Sequence, residues 1–258
     1  MRRLLLVLGL GFLWAPVLIM AVYAFSASRV PFQWGGFSLH WFGALARNER
    51  MLEAAWLSLR VGAAAASLAT LLGLALGWVL ARHGRFRGRP VFGALAGAPL
   101  VLPEVVTGLS LLLLFVGLEA LTGWPGQRGA VTVWLAHSVL GMAYVAVLVQ
   151  ARLAAIDPAL EEAASDLGAS PWTVFRTVTL PLISPSLAAG WLLAFTLSLD
   201  DVVLASFVSG PGATTLPVYL FSQLRLGMTP EANALAVVFL AMAGGLSGIA
   251  WVMRRPPG

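Results

Sequence analysis

Cysteine is absent from this chain of 258 residues. There is therefore no disulfide, no Cys-ligated metal and no thiol nucleophile. Lysine is missing too, so all 16 basic residues are Arg, and against 11 acidic residues they leave a formal net charge of +5. Charge is scarce altogether, at 10% of positions, where a soluble domain carries about 25%. That shortage argues against a soluble enzyme. It also argues against a nucleic-acid binder, whose Arg would be interleaved with polar residues on one soluble face. Here they gather at the ends of apolar stretches. No G-x-x-x-x-G-K-[ST] occurs, so the chain has no P-loop to cradle nucleotide phosphates. Histidine is confined to His40, His83 and His137. His137 and the adjacent Ser138 would diverge on a helix, so they make no nucleophile–base pair. A packed, hydrogen-bonded His137 is the expectation.

What the chain has in quantity is apolar residues, 59% of the total. A bilayer core of about 30 Å is crossed by about 20 helical residues. Six stretches qualify, at 4–25, 61–81, 91–118, 130–150, 187–207 and 233–252. The fold expected is an all-α membrane protein with six transmembrane helices in a single domain over 1–258. The first stretch exceeds the roughly 7–15 residues of a signal-peptide apolar region, so it is read as a retained helix.

Arg in short loops sets the orientation. Arg2 and Arg3 precede span 1, Arg82, Arg85, Arg87 and Arg89 join spans 2 and 3, and Arg254 and Arg255 follow span 6. Both termini are accordingly expected on the cytoplasmic side. The other side has Arg128, Arg225 and a longer first loop with Arg29, Arg47, Arg50 and Arg60. Trp34, Trp41 and Trp56 there suit an interfacial aromatic belt.

The link between spans 4 and 5, residues 151–186, departs from its basic neighbours. It sets Arg152 and Arg176 against Asp157, Glu161, Glu162 and Asp166. Local signals predict two short helices. Asp157 caps the first with Pro158 at its start and Gly168 at its stop; Ser170 and Pro171 begin the second, which Leu180–Pro181 and Pro185 end. Ala163 and Ala164 leave room for a close backbone approach. The run Glu162–Ala163–Ala164, then Gly168, then Val178, Leu180 and Pro181 resembles the EAA signature of permease subunits of binding-protein-dependent ABC importers. Val178 stands where Ile is usual. The resemblance implies type I permease architecture, with the loop serving as a coupling helix seated in a separate ATPase.

Only Glu104, Asp200 and Asp201 place charge inside the six stretches, and all three are acidic. An ionised Asp at a helix centre costs roughly 2.5–3.5 kcal/mol. Such groups line a water-filled path or are neutralised. Glu104 is expected near the middle of span 3, in a helix kinked by Pro99 and Pro103. Asp200 and Asp201 would point about 100° apart on span 5, so one faces the path and the other makes a helix–helix hydrogen bond. A carboxylate-lined path favours a cation over an anion. Phe115, Trp191, Phe195 and Tyr219 offer cation–π contacts, although single aromatics in apolar helices more often simply pack.

Longer stretches are similar to the spermidine/putrescine branch of these permeases, closest to its putrescine-type second permease. They include Ala98–Pro99–Leu100–Val101–Leu102–Pro103–Glu104, Ser198–Leu199–Asp200–Asp201–Val202–Val203, Gly210–Pro211–Gly212 and Arg225–Leu226–Gly227–Met228–Thr229–Pro230–Glu231. At 104 that branch commonly has Asp, so Glu lengthens the arm.

The resemblance implies a polyamine permease of the bacterial inner membrane with Glu104, Asp200, Asp201 and Tyr219 along the substrate path. It further implies a second permease in a heterodimer, two ATPase subunits carrying ATP and Mg, and a periplasmic or extracellular polyamine-binding protein. No cofactor would be bound by this chain. The turn Gly210–Pro211–Gly212 is by default a simple turn, with docking of the binding protein or gating as its implied role. Two other readings stay open: a permease for another small cationic solute, and a stand-alone secondary transporter or channel.

Overall fold

The computed structural model describes residues 2–30, 33–84, 86–226 and 230–253. Arg85, Arg254 and Arg255, counted above toward orientation, and Gly227, Met228 and Thr229 lie outside them. Secondary structure among the described residues is helical, with one isolated bridge between Ser26 and Phe37. Among the described residues, five helices are long and apolar enough to cross a membrane: Leu5–Tyr23, Glu49–Arg82, Glu104–Thr122, Ala130–Ala154 and Pro171–Asp200. The sixth expected stretch is occupied by the helix Glu231–Met253. Contacts divide the chain into two compact units, one of residues 1–53 with 220–258 and one of residues 54–219.

In the first unit, α1 (Arg2–Tyr23) leads through a loop to the short α2 (His40–Arg47). Trp41 departs from the expectation of an interfacial belt. It is buried, and its indole N–H donates to the Ser26 carbonyl at 2.7 Å, so it holds the loop closed. Trp34 in the same loop is exposed. Asn48 ends α2 and starts α3 (Glu49–Arg82), its Oδ1 accepting the Met51 N–H at 3.1 Å as an N-cap does. That cap begins the helix a dozen residues before the expected 61, so Arg50 and Arg60 are helical rather than in a loop. At 34 residues α3 is roughly 50 Å long, beyond the bilayer core. Asn48 also donates to Glu231 at 3.0 Å, at the start of α12 (Glu231–Met253).

The second unit is built around α6 (Ala130–Ala154). Toward one end its Val145, Val149 and Leu153 pack with Ala66 and Ala69 of α3 and with Ile183 and Ala194 of α9 (Leu180–Asp200). Toward the other, Val133 and Ala136 pack with Val61, with Phe115 of α5 (Glu104–Thr122), and with Leu204, Ala205 and Val208 of α10 (Val203–Val208). Lipid tails are as apolar as Leu, so association between membrane helices depends on close packing, which small residues permit. Gly73 and Gly77 supply it on α3. A Cβ added at Gly77 would lie 2.7 Å from the Ala146 carbonyl oxygen, and one at Gly73 would lie 2.6 Å from Val145 Cβ.

Spans 3 and 5 are altered as well. Span 3 is divided into α4 (Arg89–Val101) and α5. Span 5 ends at Asp200 and resumes as α10. Its beginning is instead extended: the helix expected to end at Leu180–Pro181 passes from α8 (Pro171–Val174) through a π-helical segment, Phe175–Thr179, directly into α9. Pro181, which has no N–H to donate, follows directly on the π-helical turn, whose wider spacing ends there with the Leu180 N–H on the Phe175 carbonyl. Pro185 deprives the Pro181 carbonyl of its helical donor, and Ser184 Oγ supplies one at 2.9 Å.

Candidate functional site

Both membrane carboxylate positions lie at helix breaks. Leu102 precedes a proline, which disfavours helical geometry, and it is extended at ψ 140°. Pro103 then serves as the N-terminal flank of α5, whose first residue is Glu104. Glu104 is therefore not near the middle of a kinked helix; it is exposed at the start of a new one. The second break follows Asp200, which is exposed at the end of α9, while Asp201 is extended at φ −69°, ψ 123°. The two breaks belong to one packed pair, because α5 and α10 lie against each other. A Cβ at Gly108 would sit 3.5 Å from Leu204 Cα and 2.7 Å from the Phe207 ring. Glu104 is one turn before Gly108, and Asp200 and Asp201 are about one turn before Leu204. Interrupted helices inside a membrane leave end carbonyls without intrahelical donors, tolerated where they line a cavity or meet protein partners.

The aspartates have different tasks, and the helical 100° argument does not apply because Asp201 is not helical. Asp201 is 7% exposed. Its Oδ1 accepts the Leu204 N–H at 3.1 Å and its Oδ2 accepts the Ala205 N–H at 2.7 Å, which caps α10. His137 Nε2 on α6 meets the same Oδ2 at 3.1 Å, and His137 Nδ1 pairs with Ser198 Oγ on α9. Ser198, His137 and Asp201 have the composition of a hydrolytic triad, but they are 5%, 4% and 7% exposed. A hydroxyl so enclosed has no substrate to attack. The sequence carries a signal for this cap, since Asp before a short apolar run is a helix start; nothing in it pointed to His137 as the partner. Asp200, one residue earlier, is exposed and makes none of these bonds.

The aromatic candidates are mostly structural. Phe115 is 4% exposed within the core. Trp191 stacks on Phe195 and donates to Ser67 Oγ at 3.1 Å. Tyr219 is half-buried on α11 (Leu216–Leu226). Among the described residues no cluster of His, Asp and Glu forms a metal site.

The acidic loop forms much as its capping residues dictate. Asp157 Oδ1 accepts the Ala159 N–H at 3.0 Å ahead of α7 (Ala159–Asp166), and Gly168 follows at φ +88°, a left-handed conformation suited to Gly. Ser170 Oγ accepts the Thr173 N–H, capping α8. Glu162, Ala163, Gly168 and Pro181 are exposed, and Ala164, Val178 and Leu180 are half-buried. Leu167 and Trp172 are exposed beside them, at 90% and 67%. Glu161, which sequence reasoning passed over, anchors the element. Its Oε1 meets Arg82 at the end of α3 at 3.1 Å and accepts the Thr179 hydroxyl at 2.7 Å. A cavity of about 360 Å³ beside it is lined by Trp78, Glu161, Glu162, Asp166 and Phe175.

Gly210–Pro211–Gly212 forms a turn closed by the Ala213 N–H to the Gly210 carbonyl at 3.1 Å. Its first glycine is wedged: a Cβ there would lie 2.0 Å from the Arg128 carbonyl oxygen. Thr132 Oγ1 bonds the Val208 carbonyl at 2.6 Å and holds the same two segments together. Pro211 and Gly212 are exposed.

Comparison with known proteins adds to this geometry. Residues 73–254 match the family of binding-protein-dependent transport system inner membrane components. The chain is 52% identical to the putrescine transport system permease protein PotI of Escherichia coli K12, over 98% of this chain and 90% of that one. It is 39% identical to the spermidine/putrescine transport system permease protein PotC of the same organism, over 90% and 86%. Its fold resembles a chain in the crystal structure of a bacterial ABC transporter involved in import of the acidic polysaccharide alginate. The TM-score is 0.71 at 16% identity, covering 99% of this chain and 95% of that one.

Proposed function

The chain belongs to the family of binding-protein-dependent transport system inner membrane components, a multi-pass permease family, and from that premise we propose that it is the permease of a polyamine importer. The observation that carries the cargo is the 52% identity to a putrescine permease across nearly the whole chain. The chemistry agrees, since Glu104 and Asp200 set exposed carboxylates at two helix breaks of one packed unit. A carboxylate is an acceptor-only anion, suited to an alkylammonium group. Two of them at separate points suit a cargo with a charge at each end.

The mechanism follows from placing the acidic loop in the cytoplasm with both termini. The second permease completes a heterodimer, and two ATPase subunits hold ATP and Mg. Exposed Glu162, Leu167 and Trp172 meet an ATPase cleft. ATP-driven closure of the ATPases pushes α7, and Glu161 passes the push to the end of α3 and to the segment leading into α9. The permease pair then alternates between inward-open and outward-open states. A loaded binding protein delivers cargo near Pro211 and Gly212, and the cargo passes Asp200 and Glu104, with Tyr219 beside the route.

Uptake of labelled putrescine by the complex in proteoliposomes tests this reading. It should require ATP, the ATPase and the binding protein, and Asp200→Asn should raise the half-saturating concentration by about tenfold. Uptake without an ATPase would replace the proposal with a stand-alone transporter. ATP-dependent uptake of a different cation in preference to polyamines would change the cargo.

A further inference from the structure

We propose that His137 is a positioning residue for the break beside the cargo path. Its ring bridges Ser198 at the end of α9 and Asp201 before α10, holding the start of α10 and the direction of the neighbouring Asp200. The inference rests on the reading of Asp200 as a path residue.

The hydrogen-bond inventory defines how the bridge works. An ionised Asp201 is an acceptor only, so the proton between it and His137 belongs to Nε2. In the neutral ring Nδ1 is then an acceptor, filled by the Ser198 hydroxyl. Asp201 already receives two backbone N–H groups of α10, so the ring completes a carboxylate that water does not reach. With the ring neutral and the carboxylate ionised, all three side chains are satisfied around a single charge, and a fully bonded polar network of this kind limits its desolvation penalty. α3 closes the remaining side, because a Cβ at Gly62 would lie 3.3 Å from the Phe195 ring and 3.5 Å from Ser198 Oγ. Imidazole is rigid, and its two nitrogens fix the spacing between the end of one helix and the cap of the next. A flexible or apolar side chain of similar volume does not.

The absence of cysteine makes this testable. In the assembled transporter, Ala205→Cys places one thiol at a fully buried position whose N–H is donated to Asp201. With native His137 it should resist a charged methanethiosulfonate. It should also resist with His137→Gln, whose amide nitrogen reaches the place of Nε2. With His137→Asn, which reaches only the place of Nδ1, and with His137→Phe, which fills the volume without a donor, labelling should be at least about fivefold faster. Without the added thiol, the half-saturating concentration for uptake should follow the same order, within about twofold for Gln and raised at least about fivefold for Asn and Phe.

Protection by Phe equal to that by His would reduce His137 to packing and overturn the proposal. Gln labelling as fast as Phe would overturn it as well, because the link to Asp201 would not be what matters. Asp200→Asn, measured separately, keeps the two ideas apart: unchanged uptake removes Asp200 from the path, while the labelling order still decides what His137 does.

Discussion

Arg82, the last residue of α3, meets Glu161 of the acidic helix at 3.1 Å. The same Glu161 oxygen accepts the Thr179 hydroxyl, so one carboxylate joins the end of a long apolar helix, the element expected to dock an ATPase, and the π-helical lead into α9. Both side chains are about one-fifth exposed, so the pair contributes about 1 kcal/mol to stability. Its larger consequence under the proposed mechanism is mechanical: motion of α7 is passed through it to α3 and to the lead into α9.

Glu161→Ala should therefore uncouple more than it unfolds. ATP hydrolysis by the complex should persist while putrescine moved per ATP falls severalfold, and the unfolding midpoint should drop by only a few degrees. Glu162→Ala, at an exposed position, should instead weaken co-purification of the ATPase. Proteoliposome uptake and phosphate release measured on the same preparation separate these outcomes, and tight coupling in Glu161→Ala would refute the lever.

The contrast between those neighbours explains what could be read from the chain. Asp157, Gly168 and Ser170 were legible because capping is local: the residue and the N–H or turn it serves are within four positions. Glu161 was not, since its partners lie 79 and 18 residues away. Hydropathy located the apolar stretches but is blind to where a helix stops within one. A proline within an apolar run suggests a kink, but the residue before it is pushed toward extended geometry, and at Leu102 that ends the helix. The apolar run around Asp200 and Asp201 suggests helical neighbours, whereas the second is a cap. Trp41 shows the limit of composition: an indole suited to an interface is buried, with its N–H satisfied by the Ser26 carbonyl.

Gly77→Ala should destabilise the protein, reversing the usual gain of about 0.5–1 kcal/mol for Gly to Ala within a helix. The added carbon would press on the Ala146 carbonyl at 2.7 Å, which is backbone and cannot rotate aside. Gly117→Ala on α5 meets nothing within 4 Å and should be neutral or slightly stabilising. Intrinsic fluorescence melting in nanodiscs compares them, and equal midpoints would mean α3 and α6 are not in backbone contact.

Pro103→Ala should let α4 and α5 join. The substitution restores a backbone donor toward the Pro99 carbonyl and frees Leu102 from its extended geometry. Spin labels on cysteines placed in α4 and α5 should report a changed and narrower distance distribution. Uptake should fall, because Glu104 would rotate with the continuous helix. An unchanged distribution would show that the proline does not make the break.

Asp200→Asn and Asp201→Asn should fail in different ways. At 201 the amide can offer one oxygen where the carboxylate offers two, so its NH2 group faces either the Leu204 N–H or the Ala205 N–H together with His137. Donor then opposes donor in a site closed to water, and the loss should be about 2–4 kcal/mol of stability, as for other broken buried charge networks. At 200 the side chain is exposed and makes none of those bonds, so stability should stay within about 0.5 kcal/mol while uptake falls. A double variant alone cannot distinguish these, since unfolding and a lost cation contact both abolish transport. Thermal melting and uptake on the two single variants do distinguish them. Normal melting of Asp201→Asn would remove the cap from the account, and normal uptake by Asp200→Asn would leave Glu104 as the sole carboxylate on the path.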